Sequence, residues 1–188
     1  MKIGIYGGSF NPIHFGHIGL AKWVVENTDL DELWLMVSPN NPLKDKSILA
    51  DENERLAAAK RAIGDGLLGD EAIRRESKRI VVSDFEFHLP RPTYTANTLR
   101  ALAREYPEHE FTLIIGEDNL HIFNQWREYQ YILDNYRVFV YPRREGDGAM
   151  RREGDEAMRR WGDEGMIYLA GAPYFDISST EIRKNLHK

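Results

Sequence analysis

KIGIYGGSFNPIHFGH, residues 2–17, decides how this chain is read. Lys2 to Tyr6 is a short apolar run with the character of a strand, and Gly7-Gly8 stops it. From Phe15 to Thr28 the spacing turns helical, with Ile18, Ala21, Trp23, Val24 and Val25 supplying an apolar face. A strand that passes through glycines into a helix makes an anion site. The glycines let a ligand approach the backbone, and the first helical N–H groups face it with the positive end of the dipole. Ser9 adds a hydroxyl donor. His14 and His17, three residues apart, fall on one face of the first turn. A neutral imidazole there donates one hydrogen bond and a protonated one adds charge. Either histidine alone could satisfy a backbone group or cap a turn. Both together, behind Gly-Gly-Ser, point to polyphosphate chemistry. A metal site would need a third ligand, and neither a nearby one nor an HExxH pattern is present in the sequence.

Outward from this stretch, strand and helix patterns alternate. Glu32 to Ser38 is a near-continuous apolar strand, as expected where both sheet faces are covered, and Asn40-Asn41-Pro42 breaks it. Asp51 to Ile63 reads as a helix capped by Asp51, with Glu54 at capping-box spacing. Arg79 to Asp84 is a strand, Thr95 to Tyr106 a helix that stops before Pro107, and Phe111 to Ile115 a buried strand ending at Gly116. Glu128 to Asp134 is helical, Arg137 to Tyr141 and Ile167 to Leu169 are strands, and Ser178 to Leu186 is a final helix. Such alternation predicts an α/β fold, a doubly wound parallel sheet with right-handed crossovers. Its ligand belongs beyond the carboxyl ends of the strands, where the loops after Tyr6, Ser38 and Ile115 converge.

The 188 residues predict a single domain, 1–188, with a substantial core. The balance is acidic, 30 Asp and Glu against 25 Lys and Arg for a formal charge of −5, which argues against binding nucleic acid or an anionic membrane. An anionic small molecule then needs a local cationic pocket. The sequence holds no cysteine, which excludes disulfides, thiolate metal sites and a cysteine nucleophile. Neither a signal peptide nor a membrane span is legible, so the expected location is the cytoplasm. Arg143 to Gly165 contains a near-duplication, GDGAMRRE then GDEAMRRW, rich in arginine, acids and glycine. Residues 146–165 read as a solvated insertion.

At the far end, ISSTEIRKNL (Ile177 to Leu186) sets Ser178, Ser179 and Thr180 at a helix start with Arg183 one turn inside. Ser178 and Glu181 have capping-box spacing, so a well-capped helix is one reading. Three hydroxyls, free N–H groups and an arginine also form a second anion cradle, and two cradles would grip a triphosphate from both sides. A Walker A sequence is absent, so this is no P-loop.

Gly7 to His17 resembles the nucleotidyltransferase signature G-G-[ST]-F-[DN]-P-x-H-x-G-H, and Ile177 to Arg183 resembles the same superfamily's ISSTxIR. SPNNPLK (Ser38–Lys44), PTYTANTL (Pro92–Leu99), GEDNLHIFNQW (Gly116–Trp126) and YPRRE (Tyr141–Glu145) lie between them. In order and spacing the set is similar to bacterial nicotinate-nucleotide adenylyltransferases. The resemblance implies a Rossmann-like nucleotidyltransferase fold and adenylyl transfer from ATP to nicotinate mononucleotide in NAD biosynthesis, with Mg²⁺ bound alongside ATP. It implies that Gly8, Ser9, Phe10, Gly116, Asp118, Ser179 and Thr180 hold ATP, and that His14, His17, Lys44 and Arg183 act on its phosphates. Tyr94, Thr95 and Thr98 would border the mononucleotide, with Trp126 stacked on its electron-poor ring. Read without the family, Trp126 could equally be a core residue, and Tyr94-Thr95 a helix entry capped by Thr95. Leu43 stands where the family often has histidine, Asn11 where aspartate is common, and Arg143-Arg144-Glu145 where arginine-proline-glycine is often found. The rival readings are a related transferase acting on nicotinamide mononucleotide or pantetheine phosphate, and a non-catalytic nucleotide sensor of the same fold. The pattern leaves a homo-oligomer open.

Overall fold

The computed structural model describes residues 1–39, 50–64, 79–143, 165–175 and 179–186. In chain order the elements are β1 (Lys2–Gly8), α1 (Phe15–Asn27), β2 (Glu32–Val37), α2 (Glu52–Gly64), β3 (Ile80–Ser83), α3 (Thr95–Glu105), β4 (Glu110–Gly116), α4 (Tyr129–Asn135), β5 (Arg137–Tyr141), β6 (Met166–Tyr168) and α5 (Ser179–Leu186). Every strand and helix expected from the sequence is present. The patterns did not announce the 3₁₀ helices Phe85–His88 and Glu117–Gln125, whose short runs carry no helical periodicity. The expected insertion, apart from Gly165, lies outside the described residues.

The six strands form one sheet in the order β3-β2-β1-β4-β5-β6. All five neighbouring pairs are parallel. This is the doubly wound, Rossmann-like arrangement expected from the alternation. The order reverses direction between β1 and β4, so a crevice opens beyond their carboxyl ends.

Each sheet face carries its own core, and the alternation along the strands decides which residue goes where. On one face Ile3, Ile5, Leu113 and Ile115 pack with Leu99 and Leu102 of α3. On the other, Leu33, Leu35 and Ile114 pack with Ala21 and Val24 of α1. Gly4 lies under this second layer. A Cβ there would stand 2.7 Å from Leu30 Cδ1 and 2.8 Å from Ile114 Cδ1, so only a bare backbone lets both side chains close over β1.

Two local expectations need correction. Gly7-Gly8 do not stop β1 at Tyr6 but are its last two residues: Gly7 pairs with Met36, Gly8 with Val37, and Ser38 N donates to Gly8 O at 2.9 Å. Glycine's entropic cost in a strand is only about 0.5–1 kcal/mol, and these ladder bonds offset it. The turn falls two residues later, at Phe10 with φ 43°, followed by a cis Asn11–Pro12 bond. Thr95 does not cap α3. Tyr94 does, extended at φ −98° and ψ 142°, with its carbonyl accepting from Asn97 N and Thr98 N. The Asp51 cap of α2 forms as expected, its Oδ1 accepting from Asn53 N at 2.9 Å and Glu54 N at 3.3 Å.

Candidate active site

A cavity of about 480 Å³ occupies the crevice, walled by the ends of β1 and β4. That volume suits one nucleotide-sized ligand. The loops after Tyr6 and Ile115 converge there with Ser38 at the end of β2, as the alternation predicted, while the loop after Ser38 lies, beyond Pro39, outside the described residues.

One end of the cavity is built from the Ser9–His17 turn. Ser9, Phe10 and Asn11 are buried, and Asn11 Oδ1 accepts from Ala50 N at 3.2 Å. The Phe10 ring stands edge-on to Tyr6 and His17, at centroid separations of 5.7 and 5.1 Å. Arg55 of α2, 3% exposed, ties the segment down from beneath. Its guanidinium donates to the carbonyls of Ser9 (2.6 Å), Ser38 (2.8 Å), Pro39 (3.0 Å) and Ala50 (3.1 Å). Four carbonyls from three segments therefore hang on one side chain.

His14 is the N-cap of α1 and His17 lies one turn inside, their ring centroids 3.7 Å apart. His14 N donates to His17 Nδ1 at 3.2 Å. That bond makes Nδ1 an acceptor, so a neutral His17 holds its proton on Nε2. His17 lines the cavity. Burial, and secondarily the charge of Arg143, lower the His14 pKa to about 4, so it is neutral at physiological pH.

The carboxy-terminal helix docks onto the same turn. Ser179 Oγ donates to Pro12 O at 3.0 Å, Arg183 Nη1 to Asn11 O, and Arg183 Nη2 to Thr180 Oγ1 at 3.1 Å. The chain's two ends therefore meet across Asn11-Pro12, as the two cradles required. Of the candidate residues, Gly8, Ser9, Phe10, His17, Gly116 and Asp118 line the cavity, as do Tyr94, Thr95, Thr98 and Trp126. His14, Ser179, Thr180 and Arg183 gather at its rim, around the turn, and are not among the lining residues. Leu43 and Lys44 lie outside the described residues.

The opposite end is aromatic and polar. Trp126 is half-buried, its ring 5.2 Å from Phe123. Its buried Nε1–H finds no partner among the described residues. It thus has a core-facing side and a cavity-facing one, which dissolves the choice between core residue and stacking plate.

Sequence reasoning missed several groups here. Glu86, 6% exposed, lies on the cavity wall and accepts hydroxyls from Ser38 (2.5 Å), Thr98 (2.8 Å) and Thr93 (3.3 Å). Burial raises its pKa, and the three O–H donors pull it back. One signal was available: an acid flanked by Phe85 and Phe87 in a short apolar run is poorly placed for solvent. Arg143 donates from Nε to Asp118 Oδ1 at 3.1 Å and lies over the Tyr141 ring at 5.4 Å. The bare backbone of Gly116 allows this pair, because a Cβ there would overlap Asp118 Oδ1 and stand 2.7 Å from Arg143 Nε. Behind it, the Tyr6 and Tyr141 hydroxyls lie 3.3 Å apart, and burial pushes both phenols upward. Arg127 closes the aromatic end, its guanidinium 5.0 Å from the Tyr94 ring centroid.

Chemically, the arrangement offers imidazoles and a guanidinium around one turn, and a stacking plate with a buried acid at the other end. Among the described lining residues, no nucleophilic side chain is aimed at a base. That suits a reaction in which the bound molecules supply nucleophile and leaving group and the protein supplies alignment and charge.

Comparison with known proteins agrees. The family model for cytidylyltransferase-like proteins matches residues 5–185. A relative from Flavobacterium psychrophilum, carrying the name "Probable nicotinate-nucleotide adenylyltransferase", is 41% identical over 186 residues, which is 99% of this chain and 86% of the relative. A Bacteroides fragilis protein of the same name is 43% identical over 185 residues, 98% of this chain and 82% of its own length. Among solved structures, Plasmodium falciparum nicotinic acid mononucleotide adenylyltransferase complexed with NaAD superposes with a TM-score of 0.74. The match covers 97% of this chain and 82% of that one at 20% identity, a likeness of fold.

Proposed function

The chain belongs to the cytidylyltransferase-like family, among its nicotinate-nucleotide adenylyltransferases, and from that premise we propose that it transfers the adenylyl group of ATP to nicotinate mononucleotide, the step that makes the dinucleotide precursor of NAD. An oxygen of the mononucleotide's 5′-phosphate bonds to the α-phosphorus of ATP as the α–β bridging P–O bond breaks, and pyrophosphate leaves. The substrate phosphate is itself the nucleophile, so no covalent enzyme intermediate is needed.

His17 serves the phosphates with the Nε2–H that its bond from His14 N leaves it. His14, neutral when the site is empty of anions, gains a proton more readily beside a polyphosphate, because negative charge favours the imidazolium. Arg183 serves the same phosphates from α5; Lys44, which the family resemblance adds to this set, lies outside the described residues. Gly8, Ser9, Phe10, Gly116, Asp118, Ser179 and Thr180 hold the nucleotide. Trp126 and Tyr94 receive the pyridine ring, with Thr95 beside them. Thr98 has its hydroxyl committed to Glu86 and therefore shapes the pocket through that acid. Mg²⁺ bound with ATP would supply charge neutralisation on the triphosphate, beside the donors of His17 and Arg183.

One observation supports this reading: the start of α5 is bonded to the histidine-bearing turn, and Phe10 and His17 of that turn line the same cavity as Trp126. The test is a pyrophosphate-release assay with MgATP and nicotinate mononucleotide, with the dinucleotide product identified by chromatography. Turnover with formation of that dinucleotide is expected, and its absence at high protein concentration overturns the proposal.

A further inference from the structure

We infer that the Arg127 side chain reads the charge on the pyridine substituent and gives the cleft its preference for the carboxylate of nicotinate over the neutral amide of nicotinamide. The inference rests on the mononucleotide reading above and deepens it.

Arg127 sits between the 3₁₀ helix capped by Trp126 and the left-handed residue Glu128, φ 55°, that turns the chain into α4. This short turn holds the guanidinium beside the plate, on the cavity lining and over the Tyr94 ring at 5.0 Å. Among the described residues, no carboxylate lies within ion-pair distance of it. The adjacent acid, Glu128, is taken by Arg100 at 2.5 Å. The other arginine on the cavity wall, Arg143, is held by Asp118 at 3.1 Å.

Glu86 supplies the second half of the argument. Its oxygens take hydroxyl donors from Ser38, Thr93 and Thr98, and among the described residues no cation pairs with it. The pyridine end therefore carries one buried carboxyl group held by neutral hydroxyl donors, and one guanidinium with no carboxylate in ion-pair range among the described residues. A nicotinate ring brings a further carboxylate into this space, where Glu86 opposes it. Binding then needs a counter-charge, and Arg127 is the group available. A planar guanidinium already resting on an aromatic ring loses little freedom when it takes up a carboxylate. The nicotinamide amide gains no such charge-assisted bond.

A hydrogen bond to a charged group corresponds to about ten- to a hundredfold in affinity. The experiment compares kcat/KM for nicotinate and nicotinamide mononucleotides, each with MgATP, in the wild type and in Arg127→Gln and Arg127→Lys. The wild type is expected to prefer nicotinate. Arg127→Gln should lose about ten- to a hundredfold with nicotinate, mostly in KM, and stay within about threefold with nicotinamide, leaving KM for ATP unchanged. Arg127→Lys, which keeps the charge, should recover much of the loss. Because Arg127 is exposed, its replacement leaves the fold intact, and an unchanged melting temperature checks this. A selectivity ratio in Arg127→Gln within twofold of wild type, or equal losses with both substrates, or a wild-type preference for nicotinamide, overturns the inference while leaving adenylyl transfer standing. A wild type that turns over neither mononucleotide overturns both.

Discussion

Thr98→Val removes one hydroxyl from the Glu86 carboxylate with almost no change of shape. Thr98 is 2% exposed and donates to Glu86 Oε1 at 2.8 Å, while Ser38 and Thr93 both address Oε2. Losing a buried bond to a charged acceptor costs about 1.5–3 kcal/mol. Burying a methyl in place of the hydroxyl returns up to about 0.8 kcal/mol. The net loss is on the order of 1–2 kcal/mol, or about 2–8 °C in Tm for a chain of this size. The pH dependence identifies the cause. The folded pKa of Glu86 is raised above its ordinary 4.5. In that case the folded state binds more protons than the unfolded one within the window, and stability declines as pH rises through the folded pKa. Thr98→Val raises that pKa further. The variant's deficit should therefore be full at about pH 8, where the carboxylate is ionised, and should shrink toward about pH 4–5, where Glu86 carries its proton. Urea unfolding at the two pH values measures it. An equal deficit at both, or one under about 0.5 kcal/mol at the higher pH, would show that Glu86 is not the acceptor that matters.

His17→Ala should lower kcat by about a hundred- to a thousandfold, with KM for the mononucleotide within about threefold, because its contact strengthens as charge shifts to the leaving group. Unchanged turnover in the pyrophosphate-release assay refutes the assignment. Trp126→Ala should raise the Kd for the mononucleotide by about tenfold and leave ATP binding alone, and calorimetry giving equal mononucleotide affinity would count against the stacking role. Arg55→Met strands the carbonyls of Ser9, Ser38, Pro39 and Ala50 in a buried site, at a cost of about 3 kcal/mol or more. A wild-type midpoint in guanidinium unfolding would show that water satisfies those groups instead.

The layered order of the fold was legible because it is written locally. Runs such as Glu32–Val37 and Glu110–Gly116 are apolar on both faces, the helices between them have a one-sided stripe, and a parallel sheet follows from the alternation. The turn at one end of the cavity was legible for the same reason: Gly8, Ser9 and His17, which line it, are close along the chain. Where local reading slipped, at Gly7-Gly8 and at Thr95, a ladder partner or the helix's own carbonyl geometry outweighed residue type.

What the tertiary structure alone decided are the pairings between distant residues. Glu86 meets Ser38 across 48 positions, Arg55 meets Ser9 across 46, and Arg183 meets Asn11 across 172. A buried charge is tolerated only where donors or acceptors happen to converge on it, and that convergence depends on strand order, β3-β2-β1-β4-β5-β6, which no periodicity encodes. Sequence by itself therefore determined the kind of sheet and the chemistry of its first turn. The packed chain determined which acids and arginines face the cavity with a partner and which without one, because that is a property of three-dimensional neighbours and not of spacing.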